Sequence, residues 1–564
     1  MLGVIFDKEN EVFLAYSHIL KESKIVHVKP FTKTPLKLGD IVILKVQDWS
    51  SYPRKLTADV VNILSHIKKP SSDIETALVE YGLSDTFPQG VIKEAEKYPK
   101  EPKKEDLEDR FDLTKEETFT IDPDTARDFD DALSLKKDEN GDFHLIVHIA
   151  DVSHYVKKGS LLDEEAYKRS NSTYFPGRCI PMLPEELSNG LCSLKENVLR
   201  LTVSVFMHFD SKGNIKNYDI RRSYIKSQKR FTYKQTLKII EGKLKNKHEK
   251  TVLLMVELCK LLQSIRNKRG SVDLSLPEVS LIIEKDQDPS GVELIEYDIT
   301  HQLVEEFMLK ANETVAHSLL SRNTPAIFRI HDTPSDSDSE EFYALARMFG
   351  FKLKKSPTKQ DVQKLFESAK ESENHYQLCI AFIRSMKLAI YSEDNVGHFG
   401  LCLEHYTHFT SPIRRYSDLV IHRLLFEETL EKKALKEIAV HCSDKERVSF
   451  RAESSVNLLK KLRLLQKYLN NDPDMEYEAF VTKVKHFGFY FEVYPLMFEG
   501  FIHISEIGRD YYHFDDKRNA LIGKATNQVF NPGKRIKVLL KQVDFITHDS
   551  IWKLINSQKK KNKK

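Results

Sequence analysis

Between residues 120 and 135 the chain reads TIDPDTARDFDDALSL, which sets Asp122, Asp124, Asp128, Asp130 and Asp131 within a few residues of one another, offset only by Arg127. Like charges a few ångströms apart repel by roughly 1 kcal/mol per pair in water, and by more as the site dries. A cation is therefore expected among them, and carboxylate oxygens are the ligands of hard divalent ions. An EF-hand calcium loop is excluded. A loop starting at Asp122 needs glycine where Arg127 stands and glutamate where Leu133 stands; one starting at Asp128 puts Leu133 in the glycine position. Magnesium or manganese remains, and a pair of such ions about 3.5 to 4 Å apart can activate water and stabilise the leaving oxygen in phosphodiester hydrolysis. The competing reading is a solvated acidic loop. Phe129 and the apolar residues after the cluster place it instead at a strand end beside a core.

A second constellation is HYTHFTSPIRRYSDLVIHRLL, residues 405–425. Arginines at a helix start can hold a phosphate. Here Ser411 is the expected N-cap and Pro412 the first-turn residue of a helix carrying Arg414, Arg415 and Arg423. Arg414 and Arg415 also suit ion pairs with neighbours such as Asp418, and His405, His408 and His422 are read as structural.

These motifs need elements to hold them. The 564 residues exceed what one core accommodates and suggest three to five domains. Hydrophobic residues at 40%, charged residues at 30% and a net charge of +3 describe an ordinary globular chain whose overall charge selects no partner. Six dispersed cysteines without Cys-x-x-Cys spacing argue against zinc and thiol redox chemistry. With no signal peptide or long apolar run, the expectation is a cytoplasmic protein with no membrane attachment.

Short apolar–polar alternations over residues 1–66 predict a small β-barrel, followed by a charged, partly helical connector over 67–110. Strands near 117–152, a helix stripe of Val304, Met308, Ala311, Val315 and Leu319, and another of Val456, Leu459, Leu462 and Leu465 predict a large mixed α/β domain over 111–470. β-patterning returns over 475–557, and residues 558–564 form a lysine-rich tail. In the second barrel Phe487 and Phe489 lie in an aromatic run with Tyr490 and Phe491, beside Lys483 and Lys485, a composition suited to stacking single-stranded bases. Filling the barrel is the other use of those rings. The fold class expected is multidomain α/β (α+β), with a large mixed catalytic domain flanked by small OB-fold β-barrels.

The motifs TIDPDTARDFDDALSL, HIADVSHYV, STYFPGRCIPMLPEELSNGLCSL, IFRIHDTP and NVGHFGLCLEHYTHFTSPIRRYSDLVIHRLL, in this order, resemble those of the RNB exoribonucleases, and their wording is closer to ribonuclease R than to ribonuclease II. The resemblance spans nearly the whole chain, with a cold-shock-like OB fold first and an S1-type OB fold last. It implies processive hydrolysis of single-stranded RNA from its 3′ end to nucleoside 5′-monophosphates, including structured RNA with a 3′ overhang. Mg2+, or Mn2+ as a substitute, would be held by Asp122, Asp128, Asp130 and Asp131, the four positions that match the family's catalytic aspartates; Asp124 is not among them. Arg414 matches the arginine that stabilises phosphate charge, Tyr174 the aromatic that clamps the terminal nucleotides, and Glu453, on a weaker motif, a glutamate at the RNA 3′ end. The resemblance also implies a monomer with RNA-decay or ribosome-associated partners. Two departures stand out: the catalytic domain is preceded by room for a single OB fold where the family usually has two, and Leu281 occupies the place of a second stacking aromatic. An RNA-binding protein with a silent nuclease domain and a metal-dependent endoribonuclease are the alternatives, because carboxylates alone encode no polarity.

Overall fold

Five alternating strands open the chain: β1 (Leu2–Glu9), β2 (Val12–Tyr16), β3 (Ile25–Lys29), β4 (Asp40–Val46) and β5 (Leu56–His66). They close into a barrel in the order β1-β2-β3-β5-β4, with β3 and β5 parallel, around Ile5, Ala15, Val26, Val42 and Leu56. Closure removes the exposed edges that a five-stranded open sheet would present. This computed structural model describes residues 1–555 apart from 30–34, 51, 273, 275, 277, 355, 373, 427, 428 and 517, so the lysine-rich tail expected at 558–564 lies outside the described residues. Among those described, no helix is long and apolar enough to cross a membrane.

Helix α1 (Ser72–Tyr81) leads from the barrel into a seven-stranded sheet. Its members are β6 (Phe111–Asp112), β7 (Phe119–Asp122), β8 (Asp131–Lys137), β9 (Phe143–Ala150), then, beyond a separate hairpin of β10 (Thr173–Phe175) and β11 (Arg178–Ile180), β12 (Leu199–Phe209), β13 (Ile215–Lys226) and β14 (Lys229–Thr232). The spatial order is β14-β7-β8-β9-β12-β13-β6. The β8–β9 hairpin follows from the DENGD stretch: Gly141 takes φ +83°, and the Asp138 side chain accepts the backbone N–H of Asn140 (2.9 Å) and Asp142 (3.0 Å). A buried polar row crosses the sheet, from Thr118 through Ser134, His148 and Ser204 to Ser223 and Thr202, each linked to the next at 2.6–3.0 Å. These side chains satisfy one another where water cannot reach.

Helices α2 (Tyr233–Ile240), α3 (Glu249–Lys268) and α4 (Ile299–Ser321) cover the sheet. The fully buried stripe of α4 is Leu303, Phe307, Ala311, Val315 and Leu319; Val304 and Met308 of the expected stripe are only partly buried, because the face turned to the sheet follows a strict four-residue step through the first turns. After α5 (Tyr416–Phe426) comes the 40-residue α6 (Lys432–Asn471), about 60 Å long. It is the spine of the molecule. Arg463 and Lys460 pair with buried Asp73 of α1, at 2.5 and 3.1 Å, while Leu462, Leu464 and Leu465 enter the core of the C-terminal barrel. That barrel comprises β15 (Glu476–Lys485), β16 (Gly488–Val493), β17 (Phe498–His503), β18 (Arg535–Asp544) and β19 (Asp549–Leu554), in the order β17-β16-β15-β18-β19, with a small three-stranded sheet beside it. Leu281, from a hairpin of the large domain, packs against this second core.

Candidate active site

The acidic cluster sits where β7 ends and β8 begins. Asp122 closes β7, Asp131 opens β8, and Asp128 and Asp130 lie on the loop between them. Buried Ser193 holds that loop: its hydroxyl accepts the Phe129 N–H (3.1 Å) and donates to the Arg127 carbonyl (2.7 Å). Asp130 is anchored from the far side of the sequence, its Oδ1 accepting the Ile413 N–H at 2.9 Å. The loop is thus fixed by residues on both sides of the domain, which keeps the carboxylates together despite their repulsion.

Burial pushes Asp122 up to about 7, with the Asp131 charge adding to it. Burial likewise raises Asp131 to about 6 and Asp130 well above the carboxylate range, in both cases against the opposing pull of Arg414. Asp122 Oδ2 and Asp130 Oδ2 are buried with no hydrogen-bond partner among the described residues. Unsatisfied buried carboxylate oxygens on an all-oxygen donor set fit a hard divalent ion. Asp124 stands apart, exposed, with Lys234 at 3.9 Å.

Residues 411–415 depart from the sequence expectation. Ser411 is not an N-cap and Pro412 is not in a first helical turn, since α5 begins at Tyr416. The segment forms a turn, held by the Asp130–Ile413 bond, by the Ser172 N–H on the Arg414 carbonyl (3.0 Å) and by a bridge between Asn171 and Arg415. These tertiary bonds outcompete helix propagation. The turn separates the two arginines: Arg415 pairs with Asp418 at 2.7 Å, whereas Arg414 points to the cluster, its Nε 3.5 Å from Asp130 Oδ2 and its Nη2 donating to Ser411 Oγ at 2.9 Å. His408 and His422 serve structural bonds, to Tyr391 Oη (2.8 Å) and the Phe409 carbonyl (2.9 Å).

The β10–β11 hairpin brings Tyr174 to the same place. The Tyr174 N–H donates to Glu453 Oε1 (2.7 Å), and its hydroxyl donates to Asp128 Oδ2 (3.3 Å), leaving the side of the ring open to solvent. Ser449, one helical turn before Glu453, bonds Thr173 and Asn171 at 2.8 Å, so α6 grips the hairpin through two successive turns. Two contributors were missed in the sequence. Arg230 donates to the Asp124 carbonyl (3.2 Å) and draws the Asp122 ionisation down, and Tyr233, at the start of α2, is raised by burial and by the charges of Asp131 and Asp122. Each lies about a hundred residues from the cluster, and only the parallel pairing of β14 with β7 could have revealed them.

Lys483, Lys485 and Phe487 lie on the separate C-terminal barrel and are exposed. Phe489 is a correction: it is fully buried in the barrel core, stacked on Phe530 at 4.9 Å, and has no face for a base. Alternation along β16 sends Phe489 and Phe491 inward and Tyr490 outward, where Tyr490 meets Phe501 at 4.9 Å and Phe501 meets Phe487 at 5.7 Å. The outward aromatics beside Lys483 are therefore Phe487, Tyr490 and Phe501.

Family models match the RNB domain over residues 110–431, the cold shock domain over 21–88 and the S1 RNA binding domain over 472–545. The chain is 41% identical to ribonuclease R of Chlamydia pneumoniae, over 98% of this chain and 82% of the relative. Among solved structures it is similar to Mycoplasma genitalium RNase R in complex with ribose methylated single-stranded RNA (TM-score 0.88, 28% identity, 98% of this chain and 89% of that one). The same enzyme in complex with double-stranded RNA gives a TM-score of 0.84 at 26% identity, over 98% and 95% of the two chains.

Proposed function

The chain belongs to the RNB exoribonucleases, as a 3′-to-5′ exoribonuclease of the ribonuclease R group, and we propose that it degrades single-stranded RNA processively to nucleoside 5′-monophosphates with Mg2+, or Mn2+ in its place, at Asp122, Asp128, Asp130 and Asp131. The observation that carries the reading is the pair of buried oxygens, Asp122 Oδ2 and Asp130 Oδ2, that accept no hydrogen bond among the described residues, the second of them faced by the Arg414 guanidinium at 3.5 Å. Asp122, Asp128, Asp130 and Asp131 would hold the ion, and the chemistry supplied there would be Lewis acidity towards the scissile phosphate and the attacking water. The remaining work falls to the chain itself. Arg414, fixed by Ser411 and Asp130, offers a guanidinium to the charge that develops on the phosphate. Tyr174 stacks on a terminal base while its hydroxyl tethers it to Asp128, and Glu453, holding the Tyr174 backbone, accepts a hydroxyl of the terminal ribose. On the C-terminal barrel, Lys483 and Lys485 attract the backbone and Phe487 stacks a base, with Phe489 confined to the core.

RNA labelled at its 5′ end and incubated with the protein and Mg2+ tests the reading. A processive exonuclease leaves one short end product; a ladder of labelled fragments identifies an endonuclease, and unchanged RNA a binding protein. A duplex with a long 3′ overhang extends the test, since continuous digestion through the paired region supports the ribonuclease R-like reading and arrest several nucleotides before the junction refutes it.

A further inference from the structure

The β8–β9 hairpin carries the acidic cluster at one end; at its other end a different donor set converges. His144 on β9 lies directly opposite His208 on β12 in the strand register, and the two imidazoles stack at 4.3 Å with an interplanar angle of 16°. Asp138, at the end of β8, places Oδ2 at 3.1 Å from His144 Nε2. One donor atom from each of Asp138, His144 and His208 lies within 4.8 Å of the others. Asp131 and Asp138 are separated by the whole of β8, about 20 Å at the usual rise per residue, so this set is distinct from the acidic cluster.

The geometry points to a second metal site at Asp138, His144 and His208, selective for a borderline ion of the Zn2+ type, which pins the tip of the β8–β9 hairpin to β12. Three features favour a metal over two ordinary ion pairs. The first is preorganisation: Asp138 Oδ1 is committed to the backbone N–H groups of Asn140 and Asp142, which leaves Oδ2 aimed at His144. The second is spacing. Zn–N and Zn–O bonds of about 2.0 to 2.2 Å at a tetrahedral angle separate two ligand atoms by about 3.3 Å, close to the 3.1 Å between Asp138 Oδ2 and His144 Nε2. The third is the surrounding shell. His208 Nε2 is held at 3.1 Å by Asp142 Oδ2, the carboxylate–imidazole arrangement that fixes a tautomer and frees the other ring nitrogen, while Lys216 neutralises Asp142. Imidazole nitrogens select Zn2+, Ni2+, Co2+ or Cu2+ over Mg2+, so the two sites sort their ions by ligand type.

Cobalt titration of the metal-free full chain, in excess Mg2+ to occupy the acidic cluster, tests the site. Wild type and D130N should each bind one equivalent of Co2+ with an intense tetrahedral visible band that Zn2+ abolishes. H144Q and H208Q should need at least tenfold more Co2+ to reach the same band, while hydrolysing RNA at the wild-type rate, a readout that also certifies their fold. D138N serves as a third variant with both rings intact and should weaken binding in the same direction. Binding should fall as the pH is lowered, because the ion must displace protons from its ligands. Absence of the band in wild type, its persistence in H144Q and H208Q, or its loss in D130N alone would each overturn the proposal.

Discussion

Replacing Tyr174 by alanine separates stacking from chemistry. Tyr174 is 43% exposed on a hairpin held by Glu453 at the Tyr174 N–H and by Ser449 at the Thr173 hydroxyl, so truncation removes the ring without loosening its support. A lost base–aromatic stack costs about 1 to 3 kcal/mol, which is about 5- to 160-fold in affinity for an RNA of a few nucleotides. Long RNA, held also by the barrels, should lose much less. Y174F keeps the ring and gives up only the hydroxyl bond to Asp128, which at 3.3 Å is long for an O–H donor, so its effect should stay within about threefold. The assay is KM and kcat on a labelled series of short oligonucleotides, together with the length of the final product. Y174A should raise KM steeply on the shortest substrates and lengthen the end product; Y174F should do neither. Equal defects in both variants would refute stacking in favour of the hydroxyl, and an unaltered Y174A would remove Tyr174 from the site.

Asp130→Asn should reduce hydrolysis below a few per cent of wild type while RNA affinity by filter binding stays within a few-fold, because the Ile413 N–H can still bond the side-chain carbonyl and the fold survives; retained cleavage would remove Asp130 from the catalytic set. Substituting Lys483 and Lys485 together by alanine should lower the salt slope of log Kd by about 1.4 if each contacts one phosphate, and an identical slope would show that they contact none. Phe489→Ala should destabilise the C-terminal barrel by about 3 to 5 kcal/mol in denaturant unfolding, a cavity effect; unchanged stability with weakened RNA binding would contradict its burial. Burial holds His148 down to about 3, against 6.5 when unfolded. The unfolded chain therefore binds the proton more tightly, and wild-type stability should fall between pH 6.5 and 5 more steeply than that of H148Q, by up to about 1.4 kcal/mol per pH unit; equal slopes would refute that linkage.

Much of the molecule was legible in its local patterns. Period-two alternation delivered both barrels and the β8–β9 hairpin, and the Val456, Leu459, Leu462 and Leu465 stripe is buried along α6 as its spacing required. The crowding of aspartates over 122–131 already pointed to carboxylates that act on one another's ionisation, because repulsion is a property of sequence neighbours. Alternation also limits which of Phe489, Tyr490 and Phe491 can face outward, but only the packed barrel decided that Phe489 and Phe491 fill the core. The rest depended on distance along the chain. The Ile413–Asp130 and Tyr174–Glu453 bonds join residues 283 and 279 positions apart, and no periodicity reaches that far. The same long-range bonds turned residues 411–415 away from the helix that Ser411 and Pro412 predict, and sent Arg414 to the carboxylates and Arg415 to Asp418. Residue types and short spacings fix what chemistry a segment can perform; which segments meet is set by burying the sheet under its helices and by α6 binding α1 and the C-terminal barrel to the same frame, because those contacts gain their free energy only once the whole core has closed.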